Sequence, residues 1–162
     1  MDDPVDGFVE RMGLLMEQEG LPRIAGRLIG FLLLHESAFS LDELAERLQV
    51  SKASVSTNAR LLEQAGILER IGAPGDRRDF YRMGPGAWER TLRTAQRKWR
   101  TMMDTFDETR EALPPEMEAG KRRLAEAKRF HALMIDGIDR LLAEWREAGA
   151  NEINGPRGLE EK

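Results

Sequence analysis

Apolar side chains that recur every three or four residues predict helices in the first part of the chain. Residues 5–19 have this spacing, with apolar side chains at Val5, Phe8, Val9, Met12, Leu15 and Met16. Gly20 ends the segment, and Pro22 suits the first turn of a second helix over residues 22–34. The end of this second helix is apolar on nearly all sides, which predicts a central, buried position.

Two short helices and a hairpin are predicted next. Ser40-Leu41-Asp42-Glu43 matches a capping box and indicates a short helix that follows it. Ser51 can cap another helix, from Lys52 to about residue 65, which Gly66 ends. Residues 67–71 and 80–83 have the character of short strands, and the turn-forming residues between them predict a hairpin with a basic tip.

Two long helices are predicted in the second half. In residues 87–113 the apolar positions alternate steps of four and three, which is typical of a coiled coil; they are Trp88, Leu92, Ala95, Trp99, Met102 and Phe106. Pro114-Pro115 ends this helix. A last helix is expected over residues 116–148, with an apolar side formed by Leu124, Phe130 or His131, Met134, Ile138, Leu141 and Trp145.

The order of these elements predicts a mainly α-helical protein with a small β-hairpin wing. The fold class is a winged helix-turn-helix with long dimerisation helices. We expect an N-terminal dimerisation helix over residues 1–21 and a winged helix-turn-helix over 22–84. Long helices over 85–148 would form the dimer body, and 149–162 would be a flexible tail.

Composition excludes several classes of site. The chain has 162 residues and no cysteine, which excludes a disulfide scaffold, a thiolate metal site and a cysteine nucleophile. His35 and His131 are far apart in sequence, so neither a metal nor a cofactor is predicted. No apolar run is long enough to span a bilayer, and the acidic start is unlike a signal peptide. We therefore expect a cytoplasmic protein with no membrane partner.

The net charge of −4 is unevenly distributed. Residues 1–21 carry six acidic side chains and one basic side chain, whereas residues 50–83 carry six basic and four acidic ones. An acidic total argues against a non-specific nucleic-acid coat, but it is compatible with a local basic face.

The outer face of the helix over residues 52–65 suits DNA. At about 100° per residue, Val55, Ala59 and Leu62 share one face and are expected in the core. The opposite face carries hydroxyls and one arginine, which can bind base edges and phosphates in a major groove. The predicted DNA-binding residues here are Ser51, Lys52, Ser54, Ser56, Thr57 and Arg60. A merely solvated polar face is the alternative.

The hairpin tip adds two arginines next to this helix. Arg77 and Arg78 suit a narrow minor groove or a phosphate, so both are predicted to bind DNA. Asp76 would repel DNA, and we interpret it as a wing-orienting residue that pairs with one arginine, Arg78 being preferred. The alternative is a solvated charged turn, in which ion pairs contribute about 0–1 kcal/mol.

Residues 40–81 resemble the winged helix of the MarR superfamily. The resemblance is carried by Ser40-Leu41-Asp42-Glu43-Leu44-Ala45, Val50-Ser51-Lys52-Ala53-Ser54-Val55-Ser56, Leu61-Leu62-Glu63-Gln64-Ala65-Gly66 and Pro74-Gly75-Asp76-Arg77-Arg78-Asp79-Phe80-Tyr81. Residues 20–27 are similar to the opening of the GbsR-like branch. The resemblance covers about residues 13–113, and the last helix has no recognisable motif.

This resemblance implies a homodimer that binds a pseudo-palindromic site in double-stranded DNA. Members are usually repressors, and many release DNA when they bind a small molecule, so we expect an as yet unknown effector. The expected dimerisation residues are Phe8, Met12, Trp88, Leu92, Trp99, Phe106, Leu124, Ile138 and Trp145. Trp88, Trp99 and Phe106 could instead pack on the chain's own last helix, and the two arrangements can coexist.

The candidate effector pocket comprises Arg23, Arg27, Tyr81, Trp88 and Trp99. The two arginines lie four residues apart on one side of a mostly buried helix. They could bind a phosphate, pair with the acidic N-terminal helix of a second protomer, or line the pocket of an anionic effector; the ion pair is preferred. The aromatic residues, with Trp145, could form a cage for a cation, although tryptophans at helical spacing are more often core residues.

Two other classes of function compete with a DNA-binding regulator. A winged helix can serve as a protein-interaction and assembly module, but such an interface favours large apolar side chains over hydroxyls and arginines. An enzyme is disfavoured because the sequence has no glycine-rich phosphate loop and no recognisable pair of catalytic carboxylates.

The role of Asp76 gives a first test. If Asp76 orients the hairpin tip, the substitution Asp76→Ala weakens DNA binding even though it removes a negative charge. Titration of both proteins against a DNA site measures this effect, and tighter binding by the variant would contradict the assignment.

Overall fold

The computed structural model describes residues 3–72, 75 and 77–154, with side chains in the last helix described up to residue 148. It divides into two compact units, unit 1 (Met1–Thr94) and unit 2 (Ala95–Lys162). The fold is mainly helical with a small antiparallel sheet, which confirms the predicted fold class. The four-part domain organisation stays a prediction.

The helices lie close to their predicted positions. They are α1 (Pro4–Gln18), α2 (Arg23–Leu33), α3 (Leu41–Leu48), α4 (Lys52–Gln64), α5 (Ala87–Ala112) and α6 (Glu118–Asn154), with a single 3-10 turn over Pro115–Met117. The end of α6 lies beyond the predicted end at Ala148, so residues 149–154 are helical where a tail was expected. The rest of that expected tail, 155–162, lies outside the described residues. Among the described residues, no helix has the length and apolar character required to cross a membrane.

The wing contains a third strand that the sequence did not predict. Strand β1 (Phe39–Ser40) pairs with β3 (Asp79–Arg82), which also pairs with β2 (Glu69–Gly72), so the order is β1-β3-β2 and both pairings are antiparallel. Tyr81 is the Cα partner of Phe39 on one side and of Arg70 on the other. A strand of two residues is too short to show alternation, and only its partner defines it.

Helix α2 lies at the centre of unit 1, as predicted. Ala25 and Leu28 are completely buried, and Leu32 is nearly so. Helix α1 approaches α2 so closely that a Cβ on Gly26 would overlap the main-chain carbonyl of Met12. Only glycine permits that separation, and it allows the apolar side of α1 to pack directly on the core.

The two short helices are joined by a tight turn with both caps in place. The Ser40 hydroxyl accepts a hydrogen bond from the amide of Glu43, whose carboxylate accepts from the Ser40 amide at 2.7 Å, so the predicted capping box is confirmed. Ser51 caps α4 by accepting from the Ser54 amide at 3.2 Å. Gly66 follows α4 with φ of +80°, in the left-handed region that favours glycine.

In unit 2, helix α6 returns along the second part of α5. The side chain of Gln96 is almost completely buried, and its Nε2 donates to the Ile135 carbonyl at 3.0 Å and to Asp139 Oδ1 at 2.9 Å. Lys128 forms an ion pair with Asp107. These contacts join the two helices at two separate positions along their length.

His131 lies in an aromatic cluster between these polar contacts. Its ring makes edge-on contacts with Trp99, Phe106 and Phe130, with centroids 5.6–6.0 Å apart. Its Nδ1 lies 2.8 Å from the carbonyl oxygen of Ala127. His131 is therefore a packed residue of the hairpin between α5 and α6.

The capping box gives a test of stability. We expect Ser40→Ala to lower the free energy of unfolding by about 1–2 kcal/mol, because it removes a cap and alters a buried site. Ser37→Ala, at an exposed position just before β1, is the matched control and should change it by less than about 0.5 kcal/mol. Urea unfolding at neutral pH measures both.

The same pair predicts a pH dependence. Hydrogen bonds from the side chain and then the backbone of Ser40 hold the pKa of Glu43 below its usual value of 4.5, with smaller contributions from Arg78 and Arg47. A lowered pKa in the folded state stabilises the fold above 4.5, and this stabilisation is lost as the pH falls through the lowered value. The difference between wild type and Ser40→Ala should therefore shrink below pH 4.5. A difference that stays constant to low pH would contradict this interpretation.

Candidate nucleic-acid interface

Helix α4 presents a polar outer face, as its sequence predicts. Val55, Ala59 and Leu62 are buried in the core, while Thr57 and Arg60 are exposed on the outside. Ser54 and Ser56 are half-buried. Leu61 is the one large apolar side chain on α4 that is exposed, at 38%, and it lies towards the C-terminal end. The first three turns therefore offer hydroxyls, an amine and a guanidinium.

The N-terminus of α4 is fixed to α3 by an ion pair. Lys52 Nζ lies 2.8 Å from Asp42 Oδ1, and both side chains are more than half exposed. A phosphate could compete for this ammonium group, because an exposed ion pair contributes only about 0–1 kcal/mol. Ser51, next to it, uses its hydroxyl to cap the helix, so its contact with DNA stays a prediction.

Both arginines of the wing tip are exposed, and Arg78 is held against a neighbouring aromatic ring. The Arg78 guanidinium lies over the ring of Phe80, 5.2 Å from its centroid. The same guanidinium contributes to the lowered pKa of Glu43, which places it electrostatically close to the start of α3. Arg77 is exposed. Asp76, the predicted wing-orienting residue, lies outside the described residues, so its role stays a prediction.

Glu69 anchors the base of the wing to the start of α5. Its Oε1 accepts from Arg82 Nε at 2.5 Å, and its Oε2 lies 3.7 Å from Arg90 Nη1. Arg90 also donates to the Pro85 carbonyl at 2.5 Å. One carboxylate therefore connects β2, β3 and the first turn of α5, and fixes the direction in which the wing leaves the core.

Tyr81 is a core residue, and its assignment to an effector pocket stays a prediction. Its side chain is only 1% exposed and belongs to the main apolar cluster of unit 1. Burial raises the pKa of its phenol, with nearby Glu63 and Asp79 adding to the shift. The alternation of β3 explains this burial, because successive residues of a strand point to opposite faces and Tyr81 points inward.

Arg23 and Arg27 form ion pairs within their own chain. Arg23 Nη2 lies 3.0 Å and Arg27 Nε 2.7 Å from the carboxylate of Glu10 on α1. The preferred pairing with an acidic N-terminal helix is therefore present, but the helix is α1 of the same chain and not that of a second protomer. The close packing of α1 on α2 brings these side chains together.

A cleft of about 1070 Å³ lies between α1, α2 and α3. Of the predicted effector residues, Arg27 lines it, together with Asp3, Asp6, Glu10, His35, Glu43, Glu46 and Arg47 among others. His35 stacks on Phe31 with ring centroids 4.2 Å apart, and its Nδ1 lies 2.7 Å from the Phe31 carbonyl oxygen at the end of α2. The lining has more acidic than basic side chains and also includes Val9, Phe31 and Leu48.

The predicted dimerisation residues differ in their surroundings. Met12 is half-buried and packs against α2, and Ile138 is buried within the single chain. Their roles in dimerisation stay predictions. Trp99 and Phe106 contact His131 of the same chain, which favours the intrachain alternative for them. Trp88 and Trp145 are exposed, and Phe8, Leu92 and Leu124 are half-buried.

Two residues that position the site were missed from the sequence. In the sequence, Glu69 is recognisable only as one of the four acidic side chains of residues 50–83, and Phe80 only as a residue of a predicted strand. The signal for Phe80 is its position two residues after Arg78, near the start of β3, which lets the guanidinium lie over the ring. No comparable signal existed for Glu69, whose partners come from β3 and from α5.

Comparison with known proteins matches both parts of the chain. A model of the MarR family matches residues 19–79, and a model of MmpR5-like MarR family transcriptional regulators matches residues 86–148. The HTH-type transcriptional regulator MmpR5 of Mycobacterium tuberculosis is 36% identical over 141 residues, which are 86% of each chain. The putative HTH-type transcriptional regulator YvaV of Bacillus subtilis is 33% identical over 76 residues, 47% of this chain and 43% of YvaV.

A solved structure agrees with these matches. The crystal structure of a transcriptional regulator is similar with a TM-score of 0.79 and 36% sequence identity. The similarity covers 90% of this chain and 99% of that one.

The anchoring role of Glu69 can be tested without any ligand. We expect Glu69→Gln to lower the free energy of unfolding by about 1–2 kcal/mol, because two arginines lose their shared carboxylate in a half-exposed setting. Hydrogen exchange of the β2 and β3 amides should become faster. Glu63→Gln is the matched control, since Glu63 lies 3.6 Å from Arg70, beyond hydrogen-bond distance, whereas Glu69 accepts a hydrogen bond from Arg82. Equal effects of the two substitutions would contradict the anchoring role.

Proposed function

The chain belongs to the MarR family of transcriptional regulators, and on this premise we propose that it is a homodimeric repressor that binds a pseudo-palindromic site in double-stranded DNA. Regulators of this family are not enzymes, which excludes the enzyme alternative. The GbsR-like branch and the cytoplasmic location stay predictions. A protein that binds the genome of a bacterium would act in the cytoplasm.

The polar outer face of α4 is the observation that carries this proposal. Thr57 and Arg60 are exposed there, Lys52 extends the face at its N-terminus, and the arginines of the wing tip lie in the same unit. In this arrangement α4 would enter the major groove and the wing would contact the neighbouring backbone or minor groove. Hydroxyls, amines and guanidinium groups bind phosphates and base edges.

The alternative of a protein-interaction module is less well supported. Such an interface needs an apolar centre, and Leu61 alone would have to supply it on α4. Glu69 also holds the base of the wing, which carries basic residues at its tip. A fixed basic loop is better suited to binding a polyanion such as DNA than to binding a protein surface.

A homodimer is supported by apolar side chains that the single chain leaves exposed. Val5, Leu14 and Leu15 on α1 and Leu133, Leu141 and Trp145 on α6 are more than one third exposed. Exposed apolar groups in such numbers are typical of an interaction surface. Two copies would place their α4 helices about 34–36 Å apart, one turn of DNA.

Regulation by a small molecule is part of the proposal. An effector that changes the spacing of the two α4 helices would release DNA, and a shift from 1:99 to 99:1 requires about 5.5 kcal/mol of differential binding. The cleft next to Arg27 is large enough for such a molecule, because small-molecule sites usually measure about 300–1000 Å³. Its acidic lining favours a cation or a polar neutral compound over an anion.

Selection of genomic fragments by the purified protein tests the proposed function. A pseudo-palindromic site whose affinity falls steeply with salt is the expected result, since phosphate contacts release counterions. Genes next to the enriched site would then suggest candidate effectors. No enrichment at any salt concentration would favour the protein-interaction module.

Single arginine substitutions test the assigned surface. Arg60→Ala and Arg77→Ala should each weaken binding to the selected site by about 1–2 kcal/mol, and loss of a phosphate contact should reduce the salt slope by about 1. Arg100→Ala, at an exposed position of α5, removes the same charge and should leave affinity nearly unchanged. Fluorescence anisotropy at two salt concentrations measures all three. Unchanged affinity in both test variants would refute the assignment.

A further inference from the structure

An aromatic ring supports one of the two arginines at the wing tip. The guanidinium carbon of Arg78 lies 5.2 Å from the centroid of the Phe80 ring, which is within the range of a cation–π contact. Arg78 is exposed, whereas Phe80 is half-buried. The contact therefore restricts the direction of the arginine side chain and leaves its charge accessible from outside.

The position of this ring is fixed by the sheet. Phe80 lies in the central strand β3, where its Cα partners are Ser40 on β1 and Ile71 on β2. Ser40 is also the residue that caps α3 through its hydrogen bonds with Glu43. The ring is therefore connected to the helix-turn-helix through β1, in addition to its own hairpin.

A carboxylate at the start of α3 acts on the same guanidinium. Hydrogen bonds from the side chain and then the backbone of Ser40 are the main causes of the lowered pKa of Glu43, and the charge of Arg78 adds to the shift. The register explains this proximity, because Phe80 is paired with Ser40. One aromatic contact and one electrostatic interaction therefore act together on Arg78.

We propose that Phe80 is a positioning residue for DNA binding, whose ring holds Arg78 ready to enter the narrow minor groove of an A·T-rich segment beside the base pairs that α4 contacts. The inference rests on the proposed DNA-binding function and identifies a source of its sequence preference. Narrow A·T minor grooves have an enhanced negative potential that attracts arginine. Arginine loses rotamer freedom when it is inserted there, and the ring reduces that cost by restricting the side chain beforehand.

Removal of the ring should weaken binding in a sequence-dependent way. A cation–π contact at an exposed site changes an equilibrium by about threefold, so the two wings of a dimer together give about tenfold. Phe80→Leu should weaken binding by this factor when A·T pairs flank the segment that α4 contacts, and much less when G·C pairs replace them. Phe80→Tyr keeps the ring and should retain the wild-type preference. Fluorescence anisotropy with the selected genomic site and its G·C-flanked copy measures both variants.

Phe39→Leu is the matched control, because it removes another half-buried ring from the same sheet. The Phe39 ring lies against Phe31 and His35, with centroids 5.0 and 5.4 Å apart. This substitution should lower the stability of the fold and leave the preference for A·T flanks unchanged. Equal loss of the preference in Phe39→Leu and Phe80→Leu would overturn the proposal, since it would indicate a general effect of a weakened sheet.

Nuclear magnetic resonance tests the contact in the absence of DNA. The ring current of Phe80 should shift the Hδ signals of Arg78 upfield in the wild-type protein, since the guanidinium lies over the ring. Phe80→Leu should return these signals to the usual range for arginine. Identical Hδ shifts in the two proteins would overturn the positioning role, whatever the result with DNA.

A double-mutant cycle separates positioning from folding. In the Arg78→Ala background there is no guanidinium to hold, so addition of Phe80→Leu should cause no further loss of DNA affinity. A tenfold loss that persists in that background would overturn the proposal. Wild-type protein that binds the duplex without preferring A·T flanks would also overturn it and leave the proposed function intact. Wild-type protein that binds no duplex would instead overturn the proposed function, and this inference with it.

Discussion

Burial of α2 is the constraint on which the first unit depends. This helix is apolar on nearly all sides, so every side must be covered by another element. Gly26 makes that possible on the side of α1, because any larger residue would push the two helices apart. The same close packing brings Glu10 to Arg23 and Arg27, so an apolar requirement of the core determines the pairing of charges at the surface.

The outer elements are held by polar contacts where the core ends. Ser40 and Glu43 fix the start of α3, Lys52 and Asp42 connect α3 to α4, and Glu69 holds the wing. The buried face of α4 packs in the core and fixes the position of the helix. The residues on the opposite, exposed face are therefore not constrained by core packing. Stability and the proposed DNA binding would therefore use different residues of the same short helix, and Thr57 or Arg60 can change without disturbing Val55 or Ala59.

Local features of the sequence were sufficient to predict the helices, both caps, the hairpin and the two faces of α4. Each of these depends on residues a few positions apart. The features that the sequence did not predict depend on contacts between distant residues: β1 exists only because β3 pairs with it, and Tyr81 is buried by its place in the sheet. Glu69 shows the same limit, since a charge in a sequence does not identify its partners.

The buried amide of Gln96 has a mechanical consequence for the second unit. Apolar contacts between two helices tolerate a slip of one turn, but an amide that loses the Ile135 carbonyl and Asp139 would be left buried and unsatisfied. The hairpin of α5 and α6 is therefore confined to one register. A displacement of one helix therefore moves the other with it, and the two helices move as one rigid body.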